Sequence, residues 1–219
     1  MRLLVLFFIG SSYMTAAQSV DFTDSLSHEF CQTLNEFGGE VDSSMVVAAW
    51  QKHLASYVTT MHPDAFDRLS GSVHIRLQRI CKVYHVFVFN NFPNRGDWTI
   101  SIDPPSMNLK KKDCRGILDF EKLSYLEPSG RSVEVVIRDG RWQDLFPDGT
   151  TTNLDFEWVD KCVFDITFVS STNENRTNLS RPGDRYRYFI ADKKQGYFEI
   201  STVSVGVDDL YYSFKMYVE

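Results

Sequence analysis

The spacing of apolar residues changes period along the chain. From Asp24 to Phe37, residues Leu26, Phe30, Leu34 and Phe37 recur at steps of four, four and three, which stacks them on one helical face. Gly38-Gly39 then supply a stop. In the stretch VDSSMVVAAW (41–50), Trp50 is either the anchor of a first barrel strand or one rung of a helix. Val47, Trp50, Leu54, Tyr57 or Val58, and Met61 keep helical spacing, whereas the adjacent Val46, Val47, Ala48 and Ala49 defeat alternation. A second helix is therefore predicted, capped by Ser43 or Ser44 and ended at Pro63.

From Ser72 onward period two takes over. Val73, Ile75 and Leu77 alternate with His74, Arg76 and Gln78, and VYHVFVF (83–89) is dense in β-branched and aromatic residues, so neighbouring strands are predicted. Trp98, Ile100 and Ile102 continue the alternation, and Leu118 to Leu126 fits either a short helix or an irregular crossing. Strand patterns return at 132–138, 154–158 and 162–168, with Pro147-Asp148-Gly149 as a turn. The last third reads as three more strands, built on Tyr186/Tyr188/Ile190, Phe198/Ile200/Thr202 and Tyr212/Phe214/Met216/Val218, with DKKQG (192–196) turning between the first two. The expected class is α+β: two N-terminal helices (about 24–70) packed on a large, curved antiparallel β-sheet (about 72–219). An eight-stranded lipocalin-like β-barrel with a modest helical entry is the alternative.

The opening MRLLVLFFIGSSYMTAAQ combines Arg2, an apolar run from Leu3 to Ile9, and small residues at Thr15 and Ala17. It predicts a secretory signal over 1–17 and a single secreted domain over 18–219. The run is far short of the roughly 20 residues a bilayer helix needs, and no later segment qualifies, so free secretion without a membrane span is expected. Export places Cys31, Cys81, Cys114 and Cys162 in an oxidising compartment, where they are expected to form two disulfides. Three pairings remain open, with Cys31 expected to staple the helical cap to the sheet. The absence of a C-x-x-C spacing argues against redox and zinc sites. Overlapping sequons at Asn175 and Asn178 predict a glycosylated, solvent-facing loop.

Charge narrows the partners. The formal net charge is −6, and loss of Arg2 makes it more negative, which argues against a nucleic-acid partner. The lone basic cluster Lys110-Lys111-Lys112 reads as a solvated loop. Two histidine arrangements have chemical potential. His74 and His85 would face across a hairpin near Arg79-Ile80, and His53 precedes Tyr57 by four residues on one helix face. No phosphate loop, nucleophile elbow or H-E-x-x-H pair accompanies them, so no catalytic residue, metal or cofactor is predicted. The aromatic content of 14% points instead to Trp50, Trp98, Trp142, Trp158 and Tyr188 as ligand-contacting residues, or else as filling of a solid core.

VDSSMVVAAW, with Cys31 upstream, resembles the lipocalin entry motif, and YFIADKKQGYFEIST (188–202) resembles that family's second conserved segment. Ala48 stands where the family has glycine, and Lys193 where it has tyrosine. The resemblance implies a cup-shaped barrel carrying a hydrophobic ligand. AWQKHLASYVTTMHPDAFDRL (49–69), followed by strands, is similar in layout to the nuclear transport factor 2-like cone, which implies a helix cradled by a curved sheet. The function expected first is binding of a small hydrophobic molecule by a secreted, disulfide-stabilised glycoprotein. An extracellular protein-interaction module is the second expectation. A cone-shaped enzyme is the third, and it requires His53 or another histidine to face a cavity beside an Asp or Tyr.

Overall fold

The computed structural model describes residues 12–219 apart from 93, 95 and 208, with side chains described from residue 22. Most of the predicted leader lies outside the described residues, and its last part begins helix α1 (Ser12–Phe37). That helix buries Leu26, Phe30 and Leu34 as its spacing predicts, while Phe37 is exposed. The chain leaves it through Gly38 and Gly39, both at positive φ, where a side chain would be strained.

VDSSMVVAAW is helical. Helix α2 (Ser43–His53) starts at Asp42, whose carboxylate accepts from the amides of Ser44 and Met45 at 2.8 and 3.0 Å, so the cap is Asp42 rather than either serine. The helix breaks at Leu54 into α3 (Ala55–Thr60). Pro63, expected as a stop, instead opens α4 (Pro63–Ile80) at its first turn, where its missing N–H costs nothing.

After Pro63 the chain stays helical where its local pattern favours strands. The two segments expected as the first strands, 73–77 and 83–89, lie in the second half of α4 and within α5 (Lys82–Asn91), so among the described residues five helices rather than two precede the first strand. Leu69, Val73 and Leu77 are buried at steps of four, and the apparent alternation reused two of the same residues. In α5, Tyr84 and Phe87 are buried against the other helices, and this tertiary contact overrides the β-preference of the valines and phenylalanines around them. Disulfide Cys31–Cys81 closes the same layer by joining α1 to the α4–α5 junction. It does not reach the sheet as expected, because Cys81 belongs to the helices.

The remaining strands are β1 (Thr99–Ser101), β2 (Leu123–Leu126), β3 (Ser132–Arg138), β4 (Arg141–Leu145), β5 (Thr151–Trp158), β6 (Val163–Ser171), β7 (Arg185–Lys194), β8 (Tyr197–Ser204) and β9 (Tyr211–Val218). From β2 to β9 each pairs antiparallel with the next, and β9 pairs with β2 and β8, so eight strands close a barrel. The short β1 shares the β9 edge beyond β2. Closure removes the exposed edges that an open curved sheet would carry. Register shifts at Asn153/Leu154 and at Ile190/Asp192 sharpen the curvature.

Two structures close the barrel ends. At one end, the lysine run, whose side chains are exposed, opens α6 (Lys111–Arg115), a 3-10 turn (Gly116–Asp119) follows, and disulfide Cys114–Cys162 binds α6 to the start of β6. Ile117, Phe164, Ile190, Phe198, Ile200 and Met216 fill this half of the interior solidly. The other end carries α7 (Glu174–Leu179) and lies under α4 and α5.

The Cys31–Cys81 bridge spans 50 residues of a layer with its own apolar core. A Cys31→Ser/Cys81→Ser variant is expected to lose about 2–5 kcal/mol, read by urea unfolding beside the native protein. An unchanged midpoint would mean that the helices hold together without the bridge.

Candidate functional site

Between the solid half of the barrel and the helical layer lies a cavity of about 270 Å³. Alternation along each strand decides which side chains reach it. On β4, Trp142 and Asp144 are two residues apart and share the inner face, as do Tyr186 and Tyr188 on β7 and Tyr212 and Phe214 on β9. The helices add Gln78, Arg79, His85 and Phe89 from above.

One wall is a run of rings. Trp98 stacks on Phe214 at 4.4 Å between centroids, Phe214 meets Tyr188 edge-on at 6.2 Å, and Tyr188 meets Trp142 at 5.6 Å. Trp98 reaches this position from outside the barrel strands. Its indole N–H donates to the Leu126 carbonyl, and the preceding loop passes so close that a Cβ at Gly96 would sit 2.6 Å from the Glu127 carbonyl oxygen.

One polar cluster joins α7 to β2 and the residue that follows it. Asn173 caps α7 by accepting from the Arg176 amide, and Arg176 Nη2 donates to the Tyr125 hydroxyl and to Glu127 Oε1, both at 2.9 Å. Burial pushes the Tyr125 and Tyr188 phenols well above their ordinary range, so both remain protonated donors. Asp144 accepts from Trp142 Nε1 at 2.8 Å, and burial pushes its carboxyl up to about 6, against the pull of Arg176 and of that hydrogen bond.

The helical lid is fastened by charge. Arg76 Nη1 donates to the Leu179 carbonyl at 2.8 Å and to Asp184 Oδ2 at 3.1 Å. Its Nε lies 3.0 Å from Asp24 Oδ1, off the line of a hydrogen bond, so that contact is an ion pair by charge alone. Arg181 Nη2 donates to the same Asp24 oxygen at 2.7 Å, Arg79 stacks its guanidinium over Tyr186 at 4.9 Å, and Lys82 pairs with Asp209.

Of the five aromatic residues singled out from sequence, Trp98, Trp142 and Tyr188 line the cavity together. Trp50 packs on Phe66 in the helical layer, and Trp158 lies towards the plugged end beneath the Arg115 guanidinium. Asn175 is exposed and Asn178 half-buried, and both sit on helix α7 rather than in a loop. Asp144 was not singled out from sequence. Its signal was an acidic residue on the inward phase of RWQDL (141–145), a stretch not read as a strand.

The histidines separate. His53 bonds Thr33 Oγ1 through Nε2 at 2.8 Å within the helical layer, and His74 bonds the Tyr84 hydroxyl at 2.7 Å between α4 and α5. His85 faces the cavity and stacks on Tyr212 at 4.4 Å, and burial pushes its pKa down to about 4. A folded-state value below the unfolded one means that the unfolded chain takes up the proton first. His85 therefore contributes stability that is lost as pH falls from 6.5 through 4. His85→Phe, which keeps a ring on Tyr212, is expected to flatten this acid limb in urea unfolding at pH 4.5 and 7.5; an unaltered limb would remove His85 as its cause.

Comparison with family models, curated proteins and solved structures finds no match. The closed eight-stranded antiparallel barrel with helices is consistent with a lipocalin-like fold. Among the described residues no helix is long and apolar enough to cross a membrane.

Proposed function

We propose that this chain is a secreted, disulfide-stabilised glycoprotein that holds one small molecule inside its barrel, beneath the helical layer. The observation that carries the reading is the cavity itself: walls largely of rings and aliphatic side chains, with polar and charged groups set among them from the helices and the strands. Its volume of about 270 Å³ favours a compact ligand over a long-chain lipid. An internal cavity also favours small-molecule binding over a module that works through its outer surface. The glycan of this reading sits on Asn175, the more exposed of the two sequons.

Incubating the purified protein with a library of small aromatic and apolar compounds, followed by native mass spectrometry, is expected to give a one-to-one complex. Leu154 lines the cavity and is buried, so Leu154→Trp is expected to fill the space and abolish the complex. Near-ultraviolet circular dichroism of the variant checks that the barrel persists. Equal ligand uptake by a folded Leu154→Trp protein would move the site elsewhere.

A further inference from the structure

We propose that the molecule held in the barrel is a small organic cation, an aryl-bearing ammonium, with Asp144 as its counter-ion. The proposal rests on the reading of the barrel as a small-molecule site.

Asp144 lines the cavity on the inner face of β4 and is only 7% exposed. One carboxylate oxygen, Oδ1, accepts from the Trp142 indole. Among the described residues, no Lys, Arg or His nitrogen lies within ion-pair distance of Asp144, although three arginines are near the cavity. Arg176 and Arg131 are answered elsewhere, and Arg79 only in part, since its Nε and Nη1 have no hydrogen-bond partner among the described residues. Arg176 Nη2 reaches Glu127 at 2.9 Å, Arg131 Nε reaches the same carboxylate at 2.9 Å, and Arg79 leans on Tyr186 with Asp184 at 3.9 Å. Arg176 is felt at Asp144 through space, and Glu127 opposes that influence.

A buried carboxylate held by one hydrogen bond and a through-space attraction to Arg176, with no ion pair in contact, stays costly unless something that enters the cavity supplies the charge. The ring wall is suited to the rest of such a guest. Trp142 and Tyr188 offer π-faces and edges next to the carboxylate, where an ammonium gains from the ring quadrupole as well as from the negative charge. Trp98 and Phe214 extend the wall far enough to hold an aryl group. An anionic guest would meet Asp144 and Glu127, would find Arg176 and Arg131 engaged by Glu127, and would have only Arg79, with Nε and Nη1 unpartnered, left as a cation to meet it.

The test is isothermal titration at pH 7.5 with phenethylamine and tryptamine, their alcohol counterparts 2-phenylethanol and tryptophol, and the acid 3-phenylpropionate. An amine is expected to bind about 10- to 100-fold more tightly than its alcohol, the range for a hydrogen bond to a charged group. Asp144→Asn, which keeps an acceptor for Trp142, is expected to erase that preference. Should the variant fail to fold, the native protein still decides, because its amine affinity must fall as the carboxylate is protonated between pH 7.5 and 5. Alcohols or the acid binding as tightly as the amines would overturn the cation while leaving the barrel site intact. Amines that fail to bind a barrel occupied by neutral library compounds would do the same. A barrel that takes up nothing at all would remove both readings together.

Discussion

Asp144→Asn is expected to stabilise the ligand-free protein at pH 7.5 by up to about 3 kcal/mol, and to leave its stability near pH 4 unchanged. Burial is the main reason the carboxyl is raised from 3.8 to about 6, with Glu127 adding to the effect and Arg176 and Trp142 opposing it. Between those two values the native protein keeps a proton that the unfolded chain has already released. Stability therefore falls as pH rises across that window, and it stays reduced above it. Asparagine is close in shape and carries no charge to desolvate. Because His85 acts with the opposite sign over part of the same range, the quantity to measure is the difference between variant and native protein in urea unfolding at pH 4 and pH 7.5. Equal stabilities at pH 7.5 would show that the carboxylate is solvated or paired. A gain in stability together with a loss of amine binding would identify Asp144 as a group kept for function at the fold's expense.

The second large effect is expected at Arg76. Arg76→Ala should cost about 3 kcal/mol and loosen the lid, because this buried guanidinium ties α4 to α1 through Asp24 and to the α7–β7 connection through Leu179 and Asp184. The cost lies at the lower end for a buried pair. Arg181 still serves both acids after the change, through its side chain to Asp24 and its amide to Asp184, and each of those carboxylates keeps some contact with water. Arg76→Lys keeps the charge but cannot fork between Asp24 and Asp184, so an intermediate loss is expected. Denaturant unfolding gives the magnitude. Hydrogen exchange locates it, with protection falling in α4 and α7 and holding in β5 to β8. A loss under 0.5 kcal/mol with unchanged exchange would mean that apolar contact alone seats the lid.

These two positions differ in how far the sequence announces them. Arg76 sits in a stretch whose two readings, strand by alternation or helix by steps of four, share Val73 and Leu77. The residues that separate the readings, Leu69 and the opening proline, lie a full turn or more upstream. Asp144 sits in a strand of five residues with polar neighbours, too short for its period to stand out. Neither signal is missing; each is shorter than the window needed to resolve it.

Local periodicity and composition are enough to specify the first helix with its glycine stop, the helical answer for Trp50, strands β3 and β5 to β9, and an even set of cysteines suited to an oxidising compartment. What depends on neighbours distant in the chain was fixed only on folding. Burial of Tyr84 and Phe87 against α1 and α4 made a helix of a β-favouring segment, and pairing of β9 with β2 turned a sheet into a closed barrel. The same long-range packing divided the aromatic residues between a filled half and a hollow one, and set a carboxylate with no ion pair in contact inside the hollow. Ring content can be counted along a chain, but the space between rings is created when strands far apart in sequence close around it.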